Sequence, residues 1–559
     1  MVSSKEPDPG GKEYQMKRKG LALLSLITAC ALLFACTAAT EDPIADAEAT
    51  EQTVETGVDE SASVLTAEPK DGGEQPENVP QPPSGEMSDG TPPGGFGGGM
   101  GEPPSGGPGG NPPDGTPPGG FGGGMGEPPS GGPGGFGGGM GEPPSGGPGG
   151  APGGSSASDL TYTAAVQIAS ADAQANETYA STSADENALL ISTADAVTIE
   201  NPTVTKTGDS DGGDSCNFYG LNAAVLVKDG ANVTITGGTI ESSASGANGV
   251  FCYGGNGGSN GAAGDGTTVT ISGTTITTTG SGSGGIMTTG GGVTYANDLN
   301  VTTSGQSSAP IRTDRGGGTV VVDGGTYTSN GLGSPAIYST AEIHVTDAAL
   351  VSNLSEGVCI EGKNSIELVD CDLTASNTAC NGNATFLDTI MIYQSMSGDA
   401  DSGTSAFTMT GGTLTSKSGH VFHVTNTNAI ITLTGVTIVN EDGENILLSV
   451  CADGWSGAGN IATLNAIRQM LTGTILVGSD SELTLNLSDG SAFVGAISGS
   501  ITNAKGTTVS TDVGKVHVSL DATSSWTLTA DTYITSFDGD LSSVVTNGYA
   551  LYVNGEKLA

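Results

Sequence analysis

With 559 residues the chain is long enough for several domains, yet 94 are glycine and only 4% are aromatic, which suits thin β-layers and flexible linkers better than one large globular core. A formal net charge of -44 excludes nucleic acid as a natural partner, because a phosphate backbone demands a basic face. An acidic surface rich in Thr, Ser and Asn suits an exported protein and attracts divalent cations.

Residues 1–36 read as a signal peptide. Met16-Lys17-Arg18-Lys19 is a basic n-region, and the apolar run from Leu21 to Ala35 leads into Cys36. Translation can start at Met1 or at Met16, since the first fifteen residues are polar. Leu33-Phe34-Ala35-Cys36 resembles the lipobox of bacterial lipoproteins, in which the cysteine is acylated and becomes the new N-terminus. Ile27-Thr28-Ala29-Cys30 also fits. Cys36 is the preferred lipidation site, because cutting at Cys30 would leave the apolar Ala31-Leu32-Leu33-Phe34 exposed at the head of the mature chain. The run is shorter than the roughly 20 apolar residues of a membrane span.

Residues 37–83 form an acidic tether, too polar to bury a core and expected to be disordered. Residues 84–154 are a Gly/Pro-rich linker of low complexity, repeating GGFGGGMGEPPSGGPGG from Gly94 and Gly119 without the Gly-X-Y period of collagen. Treated as a coil, about 70 such residues span roughly 45 Å, so their physical role is reach. Residues 155–196 are expected to cap the folded head that follows.

From Val197 to Ile438 one eight-residue phrase recurs: VTIENPTV, VTITGGTI (Val233), VTISGTTI (Val269), VVVDGGTY (Val320), IHVTDAAL (Ile343), IELVDCDL (Ile366), FTMTGGTL (Phe407) and ITLTGVTI (Ile431). A weaker copy, VTYANDLNV, starts at Val293. Positions one and three are apolar and position two is usually polar, which is a strand with one face inside. A Gly, Asp or Asn then turns the chain, and position eight is apolar again. Successive starts differ by 36, 36, 24, 27, 23, 23, 41 and 24 residues, a basic coil of about 23 with loops inserted into some turns. Such coils bury their apolar corners only against one another, which predicts an all-β, single-stranded, right-handed parallel β-helix solenoid over residues 197–462. Residues 463–559 keep alternating strands and read as the last coils and a C-terminal cap.

Several stations on this helix carry chemistry. Cys216 and Cys252 each lie 17 residues before a phrase start, so they are expected to be neighbours, as stacked thiols or a disulfide. Asp209, Asp211 and Asp214 fall in a Gly-containing turn that resembles a calcium loop without its final Glu, and Asp399 and Asp401 make a weaker cluster. Solvated acidic loops are the simpler reading of both. Ile311, Ile337 and Ile360 are expected at one interior station, so Arg312, Tyr338 and Glu361 should stack on the outer wall with Asp314 and Arg315 beside them and His423 further on. An Arg fork suits a sugar carboxylate and a Tyr ring offers a platform. The simpler reading is a self-satisfied charge ladder.

The VTI(T/S)G(G/T)TI coils, the lipobox and the Gly/Pro leash together resemble the pectin-lyase-like β-helix superfamily, and within it the β-helical carbohydrate-binding and adhesin-like surface lipoproteins of bacteria. The resemblance implies a cell-surface protein binding acidic polysaccharide, or another surface glycan or protein, with calcium as a bridge. It specifies fold better than function. The superfamily's polysaccharide lyases and glycoside hydrolases are the alternative; their G-H-G motif is Gly419-His420-Val421 here, no D-D pair occurs in the head and no R-x-K appears. A purely structural or protein-binding role is a further alternative. Thr234, Thr270, Thr294, Thr408 and Thr432 at position two also suggest a flat threonine ladder, broken by Val321, His344 and Glu367.

Overall fold

The structure, a computed structural model, describes residues 160–257, 263–457 and 459–559; Cys30, Cys36, the acidic tether and the Gly/Pro linker lie outside them. Three long parallel sheets of 13, 14 and 10 strands form its walls, and successive strands of the chain enter the three walls in turn. Every third strand is therefore a hydrogen-bonded neighbour, and the architecture is a parallel β-helix.

The phrase builds the second wall and its corner. Val197, Val233 and Val269 stack in register, followed further along by Val320, Ile343, Ile366, Phe407 and Ile431. All of them face inward and are buried. Position five is the turn: Asn201 (φ 49), Gly237 (φ 66), Asp347 (φ 53) and Gly411 (φ 66) are left-handed there, a conformation that only Gly, Asn and Asp adopt at small cost. Position eight begins the third wall's interior column, in which Ile240, Ile276 and Val301 lie one above another.

The weaker copy is out of step by one residue. Val269 pairs with Thr294, not Val293, and Thr294 pairs on with Val320. Thr294 therefore points inward, where its hydroxyl lies 2.7 Å from that of Thr288, and Tyr295 takes the outward position. The threonine ladder expected through Thr294 is corrected accordingly.

At the N-terminal end, within the stretch read as a cap, Thr163–Ile168, Asp172–Ala175 and Thr178–Ser181 form a coil that joins all three walls. At the other end Ser481–Ser488, Lys515–Leu520 and Ser536–Asp538 extend the second wall.

Interior and outward positions should respond differently to truncation. Ile343→Ala, at a fully buried station, is expected to cost about 2–5 kcal/mol, and Thr408→Ala on the outer face of the same wall less than about 0.5 kcal/mol. Urea denaturation midpoints of the two variants measure the contrast.

Candidate functional site

The outer face of the first wall carries a second layer. Leu226, Phe251, Met287, Arg312, Tyr338 and Cys359 form one outward column, continued by Met391, His423 and Ser449. Segments inserted between the coils cover it. The helix Asp214–Tyr219 lays Phe218 and Tyr219 over Phe251 and Met287, while Trp455 and Ala384 close over Cys359 and Met391.

The expected binding row is under this cover. Ile337 stacks between Ile311 and Val358, so Tyr338 follows Arg312 in the column and Cys359, not Glu361, comes next. The register differs by two residues from the expectation because the turn before Val358 is shorter than the one before Ile337. Glu361 is still reached: the Tyr338 and Tyr393 hydroxyls donate to its Oε2 at 2.6 and 2.9 Å, and Ser395 and Ser397 bond its other oxygen. Arg312 donates to Asp314 at 2.9 Å and to the Ser307 carbonyl at 3.1 Å. Arg315 holds Asp399 at 2.7 Å with its guanidinium 4.2 Å from the Phe218 ring centroid.

These groups satisfy one another. Arg312, Asp314 and Glu361 are 5%, 4% and 2% exposed and His423 is fully buried, so the row is not an open sugar platform but a polar seam fastening the cover to the wall. Burial pushes the Asp314 carboxyl up to about 7 and raises that of Glu361, against the hydrogen bonds that Glu361 accepts.

His423 belongs to a separate cluster. Its Nδ1 and that of His420 both lie 2.7 Å from the Ser449 hydroxyl, and its Nε2 is 3.4 Å from Asp453. Ser449 has one hydroxyl hydrogen, so it donates to one ring and accepts from the other. Phe386 packs on both imidazoles, with centroids 5.4 and 4.7 Å away.

The structure does not bring together the residues expected to hold calcium or to form the disulfide. Among the described residues no three His, Cys, Asp or Glu side chains converge to hold a metal ion. Asp209 accepts the Ser245 N–H at 2.8 Å, Asp399 is held by Arg315, Asp401 by Lys363 at 2.8 Å, and Asp211 and Asp214 join none of them in a ligand set. Cys216 and Cys252 are free thiols. Their equal spacing misleads because one coil inserts its extra residues before its first-wall strand and the other after it: Cys216 sits on the covering helix, and Cys252 pairs with Val227 inside the wall.

The open surface lies on the second wall. At its corner with the first wall, Gly264, Gly291, Gly317, Gly318, Glu342 and Lys363 line a cleft of about 440 Å³ that crosses five coils. Its floor is backbone, since a Cβ at Gly264 would sit 2.2 Å from the Gly291 carbonyl oxygen. Beside the cleft Tyr295, Val321, His344 and Glu367 form one outward column. Tyr295 is 43% exposed. His344 lies 3.0 Å from Glu342 and 2.9 Å from Glu367; burial works against its charge, but the two carboxylates prevail and raise its pKa. Sequence reading placed Val321, His344 and Glu367 at this outward position but missed Tyr295, because the phrase was started at Val293. Dividing the Val269–Val320 interval evenly, 25 and 26 residues, would have placed the start at Thr294 and Tyr295 outside.

No protein-family model, curated protein or solved structure matches the chain.

Burial, reinforced by His423, pushes the His420 imidazole down to about 3, whereas in the unfolded chain it titrates near about 6.5. The unfolded state thus binds the extra proton between those values. The stability His420 contributes above about pH 6.5 is lost as pH falls toward about 3, at up to ~1.4 kcal/mol per unit. Asp314, with its raised pKa, works in the opposite sense over part of that range, so the comparison with His420→Gln isolates the histidine. Urea midpoints near pH 7 and pH 5 should fall further for the parent than for the variant.

Proposed function

We propose that this β-helix is a non-catalytic polysaccharide-binding protein, displayed at a bacterial cell surface by a lipid on Cys36 and the Gly/Pro leash. The observation that carries the reading is the corner cleft with Tyr295 exposed beside it. The four spacings of about 4.8 Å between five coils give a track of roughly 20 Å, suited to an extended oligosaccharide. Hydroxyls of the flanking strands, the Asn364 amide and the Glu342–His344–Glu367 group offer donors and acceptors for sugar hydroxyls, and the tyrosine offers a ring face. The resemblance to the carbohydrate-binding branch of the pectin-lyase-like superfamily supports the same reading.

The charge pattern refines the ligand class. Lys228, Arg312, Arg315, Lys363, Arg468 and Lys515 each pair with a carboxylate, so a uronate polymer meets a largely anionic surface. Neutral polysaccharide is the favoured ligand, ahead of the acidic class and its calcium bridge.

Affinity electrophoresis against neutral and uronate polysaccharides, with and without calcium, tests this. Retention by a neutral glycan without new reducing ends is expected, with Tyr295→Ala weakening it by about tenfold, or ~1.4 kcal/mol. Arg312→Ala should lower the melting temperature and leave retention unchanged. Retention by polygalacturonate alone, released by calcium chelation, would reverse the assignment of ligand class, and unsaturated or reducing ends would replace binding with catalysis. Palmitate labelling lost in Cys36→Ala and kept in Cys30→Ala is the expected outcome for the anchor.

A further inference from the structure

The third wall breaks where the second wall runs on. Its ten-strand sheet ends with Thr437–Asn440, and the next strand at that station, Met470–Thr472, opens a separate four-stranded sheet. Pairing along the second wall continues through Thr434 and Ile467 across the same two coils. The cause is a change of circumference. Five residues, 441–445, connect the earlier strand to the first wall, whereas Gly473 alone separates Met470–Thr472 from Thr474–Val477. The shorter coil draws its strand away from the ladder above.

One side chain pins the narrow end of the break. Gln469, almost fully buried, accepts the Val436 N–H at 2.7 Å and donates to the Val436 carbonyl at 2.8 Å, as the peptide group of a neighbouring strand would. Its amide also donates to the Met470 carbonyl at 2.9 Å, so that oxygen is already occupied. In a parallel ladder, alternate residues address opposite neighbours. Thr437 and Glu441 donate back to Gly412 and Ser416, so the peptide groups of Ile438 and Asn440 are directed at the break. Ala492 donates to Gln469, and Gly473 to Val494, on the far side, so the Met470 N–H and the peptide groups of Thr472 are directed at it from the other edge. Between the edges is a cleft of about 700 Å³, lined by Val436, Ile438, Asn440, Arg468, Met470 and Thr472. Val439 and Met470, 38% and 60% exposed, stand beside it.

We propose that this break is a docking site for an extended peptide segment of another protein, which adds as a parallel strand between Thr437–Asn440 and Met470–Thr472. The N–H and C=O groups of Ile438, Asn440 and Thr472, with the Met470 N–H, stand at strand spacing on two facing edges and are complementary to a peptide backbone. Met470 and Val439 favour a partner with apolar side chains at alternate positions. This surface is distinct from the corner cleft and does not depend on its ligand.

Hydrogen exchange on the full chain gives the first test: the amides of Ile438, Asn440, Met470 and Thr472 should exchange quickly while those of Thr437 and Leu471 are protected. Slow exchange at the four would show that the break is closed and overturn the proposal. A displayed library of unconstrained dodecapeptides panned on the full chain should then enrich sequences with alternating β-branched residues that slow those four amides. N-methylation of the peptide at alternate positions, or Thr472→Pro, should weaken binding by about tenfold or more, because Thr472→Pro deletes a donor aimed at the break and spares the ladder behind it. Met470→Glu serves if the proline variant does not fold, since that side chain is already exposed. Absence of enrichment, equal binding to the variants, or displacement of the selected peptides by cellohexaose would overturn strand addition, and glycan retention through Tyr295 should persist in every variant.

Discussion

Each coil buries its apolar side chains only against the coils on either side of it, and every other feature of the molecule follows from that dependence. A strand of four or five residues with two inward side chains has no core of its own. Aligned one strand spacing apart, Val233 and Val269 or Ile343 and Ile366 become a continuous column. The alignment holds only if each turn closes at the same place, which is why left-handed Gly, Asn and Asp recur at position five.

The three walls use the same interior logic and meet solvent differently. The first wall is covered, so its outward column is a second interior in which Phe251 and Met391 are as buried as the central residues. Polar groups caught under the cover must find partners there, and Glu361 accepts from four hydroxyls while Arg312 and Arg315 each take a carboxylate. An arginine followed by a tyrosine in this column thus marks the underside of a cover. The second and third walls keep their outward residues in water, and the corner cleft and the ladder break both lie there.

Much of the coil register was legible from the phrase, because its period-two alternation and its turn residue are local properties. The reading slipped at Val293, where Gly290 to Gly292 lengthen the approach and the apolar residue sits one place early. It slipped again at Glu361, where a shorter turn moves the strand by two residues. The cover was not legible at all. Asn217 approaches Arg312 from 95 positions away, and Thr385 meets Asp453 across 68, separations that no periodicity encodes. For the same reason equal offsets placed Cys216 and Cys252 together on paper, while the coils spend their extra residues on different sides.

The cover also changes how the molecule yields to force. A bare stack peels one turn at a time from whichever end is pulled, since each turn is held only by the next. Lys505 bonds the Ala384 carbonyl across 121 residues, and Ala504 donates to Thr385 beside it. Those clasps span several turns at once, so tension entering at one end is shared among them, and rupture there must proceed as a block.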